Sequence, residues 1–493
     1  MKNVLKKSKK ELLKSSAEIW ILLIIVLFSL IILLLPHILR SDSILPTSEP
    51  YYHIRIASMI QESGIPKIDP LSFGGRELIT PIGSPLVLAY TDLLLDLGLK
   101  NTSILLSIVL GLLFILVFYL ILNEFNLSKR ARTFSSLCLT ISPIFIYLFS
   151  VFNFHTIPIF LALFAFYLFL KEKRALCTII LSIIPFFSIF HTISILILFL
   201  FYILLKSKKD ITWYLTTAPI VIVVSLIYYI PLFSQAFPRI VNIENIPFYK
   251  KIISGLGAEI GLSIFALILA FIGVISAWKR NVKYLLINLL ALIVIILVII
   301  LYSQTLIYIN LLVSVLAALG IIEIISRRWE TNLIKNFTVW VLILGLLFSG
   351  ISFANRISED QPDKELIAGL QRLKEKSEPT DLVFSHYKKG HWVTSLAQRP
   401  VLMDPLLISP PDIKQINIDS QKLFYSKDLK SAMEIINKYG IDYIFITKDM
   451  KEGVVWTEED EDLLLVLKLS NNFKAIYNRE GIEIWRVENT TIS

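Results

Sequence analysis

Among the polar residues of this chain, Glu49 is the one whose setting most invites chemistry. It opens the stretch Ser48-Glu49-Pro50-Tyr51-Tyr52-His53-Ile54-Arg55. Pro50 suits the first position of a helix, which places Glu49 at the N-cap. A carboxylate held there can take a proton from an acceptor or bind a cation. It can also be a plain helix cap, although Glu caps less well than Asp or Ser. The chain has six histidines, His37, His53, His155, His191, His386 and His391, and imidazole suits metal binding and proton transfer. Taken singly, each also suits a structural role. His155 stands apart because its loop, Phe152-Asn153-Phe154-His155-Thr156, is very short and separates two apolar runs. Asn153 and His155 must then point into the mouth of whatever those runs build. The loop 234–259 carries Arg239, Glu244, Lys250, Lys251 and Glu259. Its cations suit a phosphate or plain solvation, and Glu259 sits where the N-terminus of the next helix favours a carboxylate.

The elements that position these groups are apolar. Of 493 residues, 55% are hydrophobic and 18% charged, against about 45–50% and about 25% in a soluble globular chain. The excess sits in blocks before residue 355, which excludes a purely soluble enzyme, a disordered chain and a disulfide-stapled module. Runs at 19–39, 101–122, 131–150, 157–170, 175–190, 192–205, 212–233, 260–278, 284–302, 304–325 and 336–354 predict eleven crossings, since a membrane helix needs roughly 20 apolar residues. The first follows Lys2, Lys6, Lys7, Lys9, Lys10 and Lys14 and is too long for a cleaved signal. Connections rich in Lys and Arg alternate with poor ones, so much of the +9 net charge is topology signal, and no nucleic-acid partner is expected. An inside start puts the last residues outside. Residues 175–205 must form two short spans hinged near Pro185 or His191. The segment Ser84–Leu97 carries Asp92 and Asp96 and is placed as a surface or re-entrant helix; a missed pair of spans would raise the total to thirteen. Cys138 and Cys177 lie in apolar runs and point to neither a disulfide nor a metal.

This gives a membrane domain at 1–355 with a long first outer loop at 40–100, and an extracytoplasmic α/β domain at 356–493. In the loop, Tyr51, Arg55, Ser58 and Glu62 share one helix face and Tyr52, Ile56, Ala57, Met59 and Ile60 the other, an amphipathic pattern suited to the membrane interface. In the tail, Glu359–Lys376, Lys427–Tyr439 and Glu458–Leu469 read as helices. Leu382–Ser385, Val401–Met403 and Ile441–Thr447 read as strands, and Phe473–Tyr477 with Ile482–Val487 as a closing hairpin.

The run Glu49 to Arg55, followed by Gly64-Ile65-Pro66 and Asp69-Pro70, resembles the first outer loop of oligosaccharyltransferase catalytic subunits, membrane glycosyltransferases of the GT-C type. In that family an acidic residue precedes Tyr-Tyr and serves at the metal and acceptor site. In the tail, Val383-Phe384-Ser385, Gly390-His391-Trp392-Val393-Thr394, Arg399-Pro400-Val401 and Asp404 are similar to the surroundings of the family's Trp-Trp-Asp-Tyr-Gly motif. Asn437-Lys438-Tyr439-Gly440-Ile441-Asp442-Tyr443 resembles the strand that follows. The likeness spans most of the chain in layout and is specific in these short stretches. The motif itself reads His386-Tyr387-Lys388-Lys389-Gly390 here, with only the glycine kept, and the family's paired acidic motif reads Asn153-Phe154-His155.

The resemblance implies a polytopic helical membrane protein of 11–13 spans with an extracytoplasmic α/β domain, in a prokaryotic plasma membrane. It implies transfer of a sugar or oligosaccharide from a polyprenyl-phosphate-type lipid donor. Glu49 would activate the acceptor and bind a divalent metal, Mn²⁺ or Mg²⁺, with His155 and Glu259; imidazole favours the former. Arg55, with Arg239, Lys250 or Lys251, would neutralise the donor phosphate. His391, Trp392 and Asn153 would frame the acceptor. With the motif altered, a protein sequon is a less natural acceptor than a glycolipid, a polymer or another hydroxyl. Two other readings are a non-catalytic relative in a glycosylation complex and a lipid-linked sugar transporter. Few charged residues lie mid-membrane and no paired repeat of broken spans is visible, which count against the transporter.

Overall fold

The computed structural model of the chain describes residues 2–40, 44–78, 80–206, 208–236, 252–256, 258, 261–280, 303–406, 413–457 and 461–488. The expected run 284–302 and the residues Arg239, Lys250, Lys251 and Glu259 lie outside them.

Thirteen helices precede the tail among the described residues: α1 Lys2–Leu39, α2 Glu49–Ser63, α3 Gly83–Leu95, α4 Leu99–Glu124, α5 Lys129–Ile141, α6 Pro143–Ser150, α7 Thr156–Leu170, α8 Arg174–Ile183, α9 Ile189–Lys206, α10 Ile211–Ala236, α11 Ile264–Arg280, α12 Leu306–Ser326 and α13 Asn332–Ser358. Among the described residues five stretches are long and apolar enough to cross a bilayer: Glu18–Leu39, Leu99–Glu124, Lys208–Ile230, Leu306–Ser326 and Asn332–Ser358. The run read as one span at 131–150 is two helices, α5 and α6, bent by 65°. Ser142 causes the break: its hydroxyl accepts from Phe145 N and Pro143 starts the next helix. Asn310 Nδ2 donates to the same hydroxyl at 2.8 Å. Counted as one span, the pair makes six. The runs at 157–170, 175–190, 192–205 and 260–278 are helices too, each shorter than a full crossing. Pro185 sits in the 3₁₀ turn Ile184–Phe186 that separates α8 from α9.

The chain packs as two compact units, Met1–Ser43 with Ile104–Ser225 and Asn245–Glu359, and Ile44–Ser103 with Leu226–Glu244 and Asp360–Ser493. The packing therefore groups the first long loop with the tail, unlike the division by sequence at 355.

In the first unit, α1, α4, α5, α6, α12 and α13 share a core that includes Ile25, Leu33, Phe114, Leu139, Phe145, Phe149, Ala317 and Phe353. Helices α11 and α12 cross with backbones almost touching. A Cβ on Gly273 would lie 1.9 Å from Leu316 O and one on Gly320 2.1 Å from Leu269 O. Small residues permit this approach where lipid supplies no hydrophobic drive, and Ser276 Oγ donates to Glu323 across it at 2.8 Å.

In the second unit, the strands β1 Ile68–Asp69 and β2 Arg76–Glu77 pair antiparallel in the loop. The tail holds β3 Leu382–Phe384, β4 Ile441–Ile446, β5 Phe473–Arg479 and β6 Ile482–Val487, in the order β3-β4-β6-β5. β3 runs parallel to β4, and β6 antiparallel to both β4 and β5. Around the sheet lie α14 Lys364–Lys376, α15 Ile413–Phe424, α16 Leu429–Tyr439 and α17 Leu463–Leu469. The expected helix at Glu359 begins five residues later, because Asp363 caps it by accepting from Leu366 N at 2.8 Å and α13 runs on to Ser358. Helix α15 has no counterpart in the sequence reading. Val401 forms isolated bridges to Ser72 and Val383 instead of the expected strand at 401–403.

Replacing Gly320 by Leu is expected to force α11 and α12 apart at a cost above the roughly 1–3 kcal/mol of ordinary overpacking. Thermal unfolding of detergent-solubilised protein checks this, with Gly255→Ala, where an added Cβ meets nothing within 4 Å, as the silent control.

Candidate functional site

Among the described residues each unit holds a cluster of buried polar side chains that includes residues singled out in the sequence. In the second unit the cluster grows from α2. The helix begins at Glu49, with Ser48 as N-cap and Pro50 in its first turn, one residue earlier than the sequence placed it. The expected two-faced interfacial helix is not found. Tyr51, Tyr52, His53, Arg55, Ile56, Ala57 and Ile60 are all buried, because α3 covers one side and the tail segment Gly390–Ala397 another. Glu49 itself is half-buried.

Arg55 was expected to meet a donor phosphate. Its two terminal nitrogens instead grip Asp69 at 2.7 and 2.6 Å. Asp69 also accepts from Leu71 N at 3.2 Å and from Arg76 at 3.3 Å. Arg76 then closes a two-pronged pair on Asp404 at 3.0 and 2.7 Å. All four side chains are buried, and fork-on-fork pairing is the geometry that offsets such burial. Burial pushes both carboxyls up, but the arginines outweigh it and hold Asp69 and Asp404 below their ordinary value. Two arginines against two aspartates leave no net charge.

Beside this network stand Tyr52, His53 and His391. The ring of Tyr52 lies 5.1 Å from that of His391, and its hydroxyl meets Thr80. His391 Nδ1 is buried without a hydrogen-bond partner among the described residues. Burial, reinforced by the other imidazole, lowers His53 to about 3. Burial also lowers His391 to about 4, against the pull of Asp404. Both rings are neutral at physiological pH. The indole N–H of Trp392 donates to Thr47 O at 3.2 Å.

The cluster in the first unit centres on the 151–156 loop. Asn153 is spent on its own loop: Nδ2 donates to Tyr147 O at 2.9 Å and Val151 O at 3.2 Å, and Oδ1 accepts from His155 N at 2.9 Å. Nδ1 of His155 lies 3.0 Å from Nε2 of His191, whose Nδ1 is 2.8 Å from the Tyr308 hydroxyl. The sequence singled out His155 without its two partners; polar residues in otherwise apolar helices were the signal available.

The expected metal set of Glu49, His155 and Glu259 lies only partly within the described residues. Glu49 and His155 belong to different units, and Glu259 is outside the described residues. Among the described residues no three His, Cys, Asp or Glu side chains group around a common point. No chemical step is routed through an ion.

No protein-family model and no curated protein matches the sequence. Solved structures do. The oligosaccharyltransferase AglB from Archaeoglobus fulgidus, in complex with an inhibitory peptide and a dolichol-phosphate, aligns over 97% of this chain and 75% of its own, with TM-score 0.64 and 16% identity. The chain has the GT-C glycosyltransferase fold. The Archaeoglobus enzyme in complex with Zn and sulfate shares the GT-C fold at TM-score 0.62 and 16% identity, over 95% of this chain and 73% of that one. ArnT from Cupriavidus metallidurans, bound to undecaprenyl phosphate, covers 93% of this chain and 97% of its own, with TM-score 0.53 and 13% identity. The GT-C fold agrees with the resemblance carried by Glu49 to Arg55.

Two outcomes are expected from the second-unit cluster. Asp404→Asn strands a buried Arg76 and costs about 3–5 kcal/mol, readable as a lowered thermal midpoint, and Arg76→Met in the same chain returns part of the loss. The histidines set a pH window. Their folded values lie below the unfolded value of about 6.5, so their contribution is complete above it and is lost as pH falls towards 4 and then 3. The carboxylates lose theirs lower still, as pH falls through their depressed folded values. Thermal midpoints should therefore drop between pH 6.5 and 4, and a His53→Phe/His391→Phe variant should drop less across that interval.

Proposed function

We propose that this integral membrane protein is a glycosyltransferase. It moves a sugar or oligosaccharide from a polyprenyl-phosphate-type lipid donor to an acceptor hydroxyl at the outer membrane face. The observation that carries the reading is the fixing of the Glu49 helix by four buried, mutually paired charges, within a fold shared with structures solved with dolichol-phosphate and undecaprenyl phosphate. Preorganisation of this kind is what a reaction of positioned groups requires.

In the proposed reaction the acceptor oxygen forms a bond to the anomeric carbon. The bond from that carbon to the phosphate oxygen breaks, and its electron pair leaves with the polyprenyl phosphate. The acceptor proton passes to the carboxylate of Glu49. Arg239, Lys250 and Lys251 are assigned to the departing phosphate, and Glu259 and His155 remain the residues proposed for a divalent cation. Arg55 is assigned to the frame, because its guanidinium is taken by Asp69. His391 is assigned to the wall beside Tyr52, and Asn153 to the shaping of its own loop.

A second reading, a non-catalytic relative within a glycosylation complex, is favoured by one observation: His155 is engaged by His191 instead of by a carboxylate-rich group. Release of polyprenyl phosphate from a lipid-linked sugar by purified protein separates the two. Activity is expected in the wild type, and Glu49→Gln is expected to lower it by about 10²–10⁴-fold; full activity in that variant sinks the assignment.

A further inference from the structure

Two residues before Glu49 the backbone does something unfavourable. Thr47 has φ +65°, a left-handed conformation that is an outlier for a β-branched residue and costs on the order of 1–3 kcal/mol unless surrounding structure enforces it. Both backbone polar groups of Thr47 are held from the tail. Its N–H donates to Gln361 O at 2.9 Å, and its carbonyl accepts from Trp392 Nε1 at 3.2 Å.

One buried ammonium organises those two partners. Lys389 Nζ lies 4.9 Å from the centre of the Trp392 ring. It donates to the side-chain oxygen of Gln361 and to Asp449 Oδ2 at 2.5 Å. The other oxygen of Asp449 accepts from Thr447 at 2.6 Å. Lys389 is 3% exposed, whereas its neighbour Lys388 is exposed. A buried lysine is an expensive way to fill a core when an apolar residue of similar size packs as well. Its cost is accounted for if its hydrogen bond and its cation–π contact fix Gln361 and Trp392, and these in turn fix Thr47.

We propose that Lys389 and Trp392 are positioning residues for Glu49. They clamp the strained residue through which the chain enters the reactive helix, and so set where the carboxylate stands. Spent in this way, the Lys389 ammonium and the Trp392 N–H are not available to hold an acceptor. The inference rests on the glycosyltransferase reading for its catalytic consequence, but the clamp itself can be observed without turnover.

The test uses the full-length protein in lipid nanodiscs with a nitroxide on Ser48→Cys. The Ser48 side chain makes no capping hydrogen bond, and the native Cys138 and Cys177 are buried. The label is expected to be immobile in the parent. It should become mobile in Trp392→Phe, which keeps the ring and loses the N–H, and in Lys389→Met. In the same preparations, polyprenyl-phosphate release should fall roughly 10–100-fold in kcat, with the donor KM within about twofold. Lys388→Ala should change neither.

A label that stays immobile in both variants, or one that is freed while kcat is unchanged, overturns the proposal. So does a raised KM at constant kcat, which would make the pair a donor contact. If the parent protein releases no polyprenyl phosphate, the transferase reading falls, and the mobility of the label still decides whether the clamp exists.

Discussion

The helix that begins at Glu49 is held by a chain of four charges that water does not reach, running from Arg55 through Asp69 and Arg76 to Asp404. Each ion alone would cost several kcal/mol to bury. The chain persists because every guanidinium finds two oxygens and every carboxylate finds two nitrogens. Such a network tolerates little displacement, since sliding any member strands its neighbour. It therefore transmits position: where β1 and Asp404 stand, Arg55 must stand, and with it the helix that begins at Glu49.

Much of the frame is legible in the sequence, because the bilayer imposes a simple demand on composition. Runs such as 19–39 and 336–354 can be little else, and Asp428 with Gly440 brackets a tail helix by ordinary capping rules. The break at Ser142 was written in the sequence too, as a serine followed by proline, the usual opening of a helix. It was masked by the apolar run around it. The charge network was not legible. Asp404 and Arg76 are 328 residues apart, and no local pattern says which arginine a carboxylate will meet. Arg55 reads as a cation awaiting an anion, and within the fold Asp69 is an anion it meets. Lys389 reads as a lost acceptor contact, whereas its ammonium turns inward to an aspartate 60 residues away.

The histidines show how far residue type underdetermines role. His155 and His191 pair with each other and with Tyr308 through ring nitrogens, a string of polar groups inside an apolar bundle. His391 sits near two arginines, and burial keeps both it and His53 uncharged. The same imidazole is thus a hydrogen-bonding link in one unit and a buried, uncharged ring packed on Tyr52 in the other.

Gly390 is the one position of the altered motif that still matches, and its reason is spatial. A Cβ there would fall 2.6 Å from Met403 O and 2.7 Å from the Cα of Asp404. A residue kept for lack of room carries no information about substrate. Agreement at that position between this chain and an oligosaccharyltransferase measures shared folding of the backbone and says nothing of chemistry.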